Sequence, residues 1–124
     1  MRLLLDTHVF IWWLGEEDLS AEASEVIAAP DTEVLVSAAS VWEAEIKAAS
    51  GKLELNVDLI AEAAENGFAE LPVRFEHARA AGRLPSHHHD SFDRVLVAQA
   101  QIEGLTLVTR DSRLGAYDVQ LLTA

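Results

Sequence analysis

The chain has 124 residues, half of them hydrophobic, and no cysteine. That is enough apolar material for one domain with a real core, and it excludes disulfides, thiolate metal sites and cysteine nucleophiles. The formal net charge is -12, which argues against a nucleic-acid binder of the basic-patch kind, because phosphate affinity comes mainly from Lys and Arg.

The first element is an apolar run, RLLL, that ends at Asp6 and reads as a strand. HVFIWWL follows with helical character, then SAEASEVIAA, where Ser20 is placed as an N-cap. VLV before Ser37 is the second strand. AASVWEAEIKAA then carries apolar residues at 38, 41, 42, 46 and 49, a helical spacing that Gly51 closes. VDLIAEAAENG reads as a helix ending at Gly67, FAELPV as a short strand, and FEHARAAGRL as a helix closed before Pro85. The most apolar helix is SFDRVLVAQAQIEG, stopped by Gly104; TLV before Thr109 and VQLL near the C-terminus are the last strands. These strands lack polar alternation, as strands covered on both faces do. Alternating strands and helices predict a single three-layer α/β/α domain over residues 1–124 with a mainly parallel sheet.

Charge is unevenly distributed. Residues 1–70 hold fifteen acids against Arg2, Lys47 and Lys52, whereas residues 71–124 balance six acids with six arginines. Contact with a polyanion should therefore run over the second half. With no run of about 18 apolar residues and no secretory pattern at the N-terminus, a cytoplasmic, soluble protein is expected.

In open α/β sheets, ligands bind beyond the carboxyl ends of the strands. Asp6 ends the first strand, Asp111 follows the TLVT strand, and Glu43 lies about one turn into the helix after the second strand. Asp93 stands in the first turn of the apolar helix, with Asp90 one turn earlier. Each has an ordinary reading. Asp6, Asp90 and Asp111 suit caps, Asp93 suits a helix dipole, and Glu43 suits an i,i+4 pair with Lys47. Their joint placement at one edge is what these readings leave unexplained. Carboxylates gathered there repel one another, and a divalent cation such as Mg²⁺ or Mn²⁺ compensates. Such a site suits phosphodiester hydrolysis.

LLLDTH, SAASVWEAEIK, HHHDSFDRVLVAQA and LVTRD, in that order and across nearly the whole chain, resemble the PIN-domain ribonucleases, in particular the VapC-type toxins of toxin–antitoxin pairs. The resemblance implies an α/β/α sandwich and a Mg²⁺ or Mn²⁺ site built from Asp6, Glu43, Asp93 and Asp111, with Asp90 joining directly or through water. It implies an endoribonuclease acting on tRNA, rRNA or mRNA, a small cognate antitoxin, and a homodimer. Ser91 stands where the family's D-P-F-D-R stretch has proline, a substitution that a first helical turn tolerates.

Around these acids, Thr7 and Thr109 are expected to orient acids or waters, and Ser37 to cap its helix. Arg94 and Arg110 are expected to meet RNA phosphate or to pair with the acids. His87 and His88 could contact phosphate or metal, but three adjacent histidines cannot all point one way, and His87, His88 and His89 are read as an exposed loop. Trp12, Trp13 and Trp42 could stack on bases, but their helical spacing reads as core or subunit interface. Three other functions compete. A haloacid-dehalogenase-type phosphotransfer domain would want a second Asp at position 8, which is His. A receiver-like module would need paired acids on the first strand. A catalytically inactive PIN-like protein-binding module would be marked by loss of a ligand position, and all four are acids.

Overall fold

The computed structural model describes residues 1–15 and 17–124. Five strands form one parallel sheet in the order β3-β2-β1-β4-β5. They are β1 (Arg2–Leu5), β2 (Glu33–Ser37), β3 (Ala69–Leu71), β4 (Thr106–Thr109) and β5 (Leu121–Thr123). The helices are α1 (Thr7–Leu14), α2 (Ala21–Ala28), α3 (Ala38–Ala49), α4 (Leu59–Glu65), α5 (Phe75–Arg83) and α6 (Ser91–Glu103). A 3₁₀ turn follows β4 over Ser112–Ala116. No helix among the described residues is long and apolar enough to cross a membrane.

Strand periodicity explains the absence of polar alternation. Successive side chains point to opposite faces, and both faces are covered. Leu3 and Leu5 pack with Val9 and Phe10 of α1, Ala23 and Ile27 of α2, and Leu59 of α4. Leu4 turns the other way and packs with Leu96, Val97 and Ala100 of α6 and with Leu114 and Tyr117. The architecture is the expected three-layer sandwich, with α5 lying against α6.

Central placement of β1 matters most for the site. It pairs with β2 on one side (Leu5↔Val36) and with β4 on the other (Leu5↔Val108). Chain order reverses between β1 and β4, which is where α/β sheets open a crevice beyond their carboxyl ends. The β1–β4 ladder runs one bond further, as the Asp6 amide donates to the Val108 carbonyl at 3.0 Å. Gly104 ends α6 in the left-handed conformation (φ 67°), where a side chain would be strained, and turns the chain into β4.

The apolar stripe of α3 does not face the core. Ala39, Ser40, Glu43 and Ala44 are buried, while Trp42 is 64% exposed and Ile46 is also exposed. Trp42 meets Phe92 edge-to-face, with ring centroids 5.2 Å apart. Trp42 is thus not a core residue: helical spacing locates the apolar face of a helix without saying what covers it. Trp12 and Trp13 are half-buried against the core, Trp12 under the Arg110 guanidinium at 4.2 Å.

Candidate functional site

Every predicted acid is found at the carboxyl edge, and the caps that sequence assigned to them are real. Asp6 is the N-cap of α1, its Oδ1 accepting from the Val9 amide at 2.8 Å. It is buried, makes no ion pair among the described residues, and also shares a hydrogen bond with the Thr109 side chain. Burial pushes its carboxyl above the ordinary aspartate range, and the Glu43 charge pushes the same way, against these hydrogen bonds.

Glu43 is buried on the inner face of α3 with both oxygens engaged. Thr7 Oγ1 donates to Oε1 at 2.6 Å and Lys47 Nζ donates to Oε2 at 2.7 Å. The i,i+4 pair is therefore formed within the site instead of away from it. Thr7 opens α1 directly after Asp6, so one dipeptide carries an edge acid and the hydroxyl that orients a second.

Asp93 lies in the first turn of α6. Burial raises its carboxyl, and the charges of Asp90 and Glu43 add to that, while a hydrogen bond from His88 opposes it. Asp90 caps the helix, its Oδ1 accepting from the Asp93 amide at 3.0 Å, and is itself exposed. Asp111 caps the 3₁₀ turn. It accepts from the Arg113 amide at 3.0 Å and from the Arg113 guanidinium at 2.9 and 2.7 Å, which holds its carboxyl below the ordinary range. The Asp111 amide donates to Thr109 Oγ1 at 3.0 Å, so the Thr109 hydroxyl touches both Asp6 and the Asp111 backbone.

One residue departs from its sequence reading. His88 is not exposed with His87 and His89; it is buried, and its Nε2 lies 2.8 Å from Asp93 Oδ2 and 3.9 Å from Asp111 Oδ2. Among the described residues, His88, Asp93 and Asp111 bring their ligand atoms within 4.8 Å of one another. Asp6 and Glu43 stand outside that trio and reach it through charge. The available signal was the position of His88 five residues ahead of Asp93, across a tight turn.

Arg94 explains why the turn holds. Its guanidinium donates to the carbonyls of Ala81, Leu84, Pro85 and His88 at 2.8 to 3.2 Å, and to the Tyr117 hydroxyl at 3.4 Å. It pairs with none of the edge acids, because five acceptors consume it. Arg110 likewise turns away, to the Ala124 and Asp18 carbonyls and to Glu17. Thr7 and Thr109 are too buried to meet RNA and act on the acids. Arg113, which sequence did not single out, is the arginine at the site, with its side chain 69% exposed.

The donor set is carboxylate oxygen and one imidazole, and it fits a divalent cation. Asp6 is buried and Asp93 half-buried; both face no Lys or Arg within ion-pair distance among the described residues, and both are raised by partial or full burial and by neighbouring negative charge.

The sequence pattern of the PIN domain matches residues 3–120. A protein of Mycobacterium tuberculosis named Ribonuclease VapC22 is 32% identical over 127 residues, covering 93% of this chain and 91% of that one. In fold, the chain is similar to VapBC2 from Rickettsia felis bound to a DNA fragment from its promoter (TM-score 0.75, 14% identity, 99% and 98% of the two chains). It is also similar in fold to a toxin–antitoxin complex from Klebsiella pneumoniae (TM-score 0.68, 20% identity, 98% and 96%).

Proposed function

The chain belongs to the PIN-domain family, and on that premise we propose that it is a metal-dependent endoribonuclease, the toxin of a toxin–antitoxin pair, working as a single domain over residues 1–124. One observation carries the reading: Asp6, Glu43, Asp93 and Asp111 stand at the carboxyl edge on both sides of the β1–β4 reversal, and two of them, the buried Asp6 and the half-buried Asp93, have no Lys or Arg partner among the described residues. A structural role alone does not call for two aspartates at one edge held above their ordinary range.

In this reading the four acids hold the cation and Asp90 serves α6 as its cap. Mg²⁺ or Mn²⁺ supplies, when bound, the positive charge that lets the acids ionise together and polarises a phosphoryl oxygen. The chain's own groups do the rest. Thr7 and Lys47 fix Glu43; Thr109 and the Val9 amide fix Asp6. An edge carboxylate takes the proton of the attacking water, which adds to phosphorus in line as the bond to the 3′ oxygen breaks. The products carry 5′-phosphate and 3′-hydroxyl ends. Arg113, exposed beside Asp111, is placed to meet a backbone phosphate.

The partners follow from the relatives. Similarity to a ribonuclease and to a toxin–antitoxin complex supports an RNA substrate in the cytoplasm and a small antitoxin as inhibitor. The apolar face of Trp42, Ile46, Val73 and Phe92 supports a homodimer.

The test is cleavage of total RNA by the purified chain and its Asp6→Asn form, each with Mg²⁺ or Mn²⁺, with the new ends mapped. Asparagine still caps α1, so the fold should survive while cleavage falls by at least about 100-fold, the scale on which loss of a metal-site group acts. An Asp6→Asn protein that cuts as well as the wild type would sink the assignment.

A further inference from the structure

His88 is the site residue that the carboxylate scheme does not use. We propose that His88 is a nitrogen ligand of the cation bound at this edge, and that it biases the site toward Mn²⁺ over Mg²⁺. The proposal rests on the metal-dependent reading above and adds to it a donor of a different chemical class.

Three observations converge on it. The imidazole is buried, and its Nε2 lies within ligand-sharing distance of one oxygen from Asp93 and one from Asp111. Those two acids come from different elements, the first turn of α6 and the turn after β4. His88 thus bridges two edge acids that nothing else among the described hydrogen bonds joins directly.

The imidazole is also held in place. Its own carbonyl accepts from Arg94 at 3.2 Å and from the Tyr117 hydroxyl at 3.4 Å. Arg94 sits on α6 one residue after Asp93, so a single helix turn supplies both an acid of the trio and the clamp that aims the histidine at it. Neither neighbour shares this environment. His87 is exposed and stacks edge-to-face on Tyr117 at 5.2 Å, and His89 is exposed.

The selectivity follows from ligand softness. Mg²⁺ prefers an all-oxygen shell and keeps its waters, whereas Mn²⁺, though a carboxylate-binding ion, opens the transition-metal series in which affinity for nitrogen donors rises, so an imidazole costs it less than it costs Mg²⁺. A site of carboxylates alone lacks that bias. Substituting one imidazole should therefore change the Mn²⁺ affinity more than the Mg²⁺ affinity.

The experiment uses the purified, metal-free full chain and needs no RNA. Mn²⁺ is added to wild type, His88→Asn and His89→Asn, and pulsed electron paramagnetic resonance reads coupling from directly bound ¹⁴N. Calorimetry measures Mn²⁺ and Mg²⁺ binding to the same proteins. Nitrogen coupling is expected in the wild type and in His89→Asn and should vanish in His88→Asn, with Mn²⁺ binding weakened about tenfold or more and Mg²⁺ binding weakened by a smaller factor. Wild-type protein that binds Mn²⁺ without nitrogen coupling overturns the inference and leaves the nuclease reading standing. Wild-type protein that binds neither ion overturns both. Because the coupling is read on the wild type, a misfolded variant does not rescue the proposal.

Discussion

Glu43 and Asp111 each stand against a cation of their own chain, Lys47 and Arg113, whereas Asp6 and Asp93 face no Lys or Arg within ion-pair distance among the described residues. All four lie at the same sheet edge, yet the first two are paired with a Lys or Arg and the second two are not. Position alone therefore does not make an acid reactive. Under the proposed metal site, the compensated pair acts as scaffold until its own cation is displaced, and the uncompensated pair is where an incoming cation gains most.

The largest effect that should separate the pairs is on cation binding. Asp93→Asn should weaken Mn²⁺ binding by at least about 100-fold, and Asp111→Asn by less, because Asp111 must first leave Arg113. Calorimetry on the two variants checks the order, and equal losses would erase the distinction. Next is stability. Lys47→Ala leaves the buried Glu43 carboxylate with only the Thr7 hydroxyl. Removing one partner of a buried pair costs about 3–5 kcal/mol, and the one-third exposure of Lys47 brings the expected loss nearer about 1–2 kcal/mol. Denaturant unfolding measures it.

The smallest effect is on the pH dependence of stability, and it has opposite signs for the two pairs. In the unfolded chain Asp6 and Asp93 release their protons in the ordinary aspartate range; in the folded chain they hold them to higher pH. Below that range both states are protonated and the acids cost nothing. As pH rises through the raised folded values the metal-free protein loses stability, and above them the loss is complete. Asp111, held low by Arg113, contributes stability above the ordinary range that disappears as pH falls through its folded value, a contribution that solvent screening reduces. Thermal melts of metal-free wild type and the Asp6→Asn/Asp93→Asn double variant should diverge toward neutral pH, with the variant melting higher. Parallel curves would show that the two acids are not strained by burial.

The sandwich was legible because its rule is local: short, largely apolar runs followed by Asp, Ser or Thr mark strands, and 3.6-residue spacing marks the helices between them. The acids were legible for the same reason, since each sits at a strand end or within the first two turns of a helix that follows. His88 was not, because nothing in HHHD says which imidazole turns inward. That choice is made by Arg94, whose five acceptors belong to residues from 81 to 117. Arg94 itself was misread for the same cause: an arginine beside an acid reads as its partner until the carbonyls of a distant turn come within reach. The outward face of α3 was hidden similarly, since Trp42 and Ile46 keep helical spacing whether core, partner or water covers them.

Placing β1 at the centre of the sheet has a consequence for how the protein is made. The strand that carries Asp6 is synthesised first, but its partner on the crevice side, β4, begins at Thr106. Until β4 leaves the ribosome, Asp6 has neither the Val108 carbonyl that extends its ladder nor the Thr109 hydroxyl that orients it. Contacts this distant in sequence form late in folding. The edge around Asp6 is thus completed only once β4 has been made, whatever has folded before it.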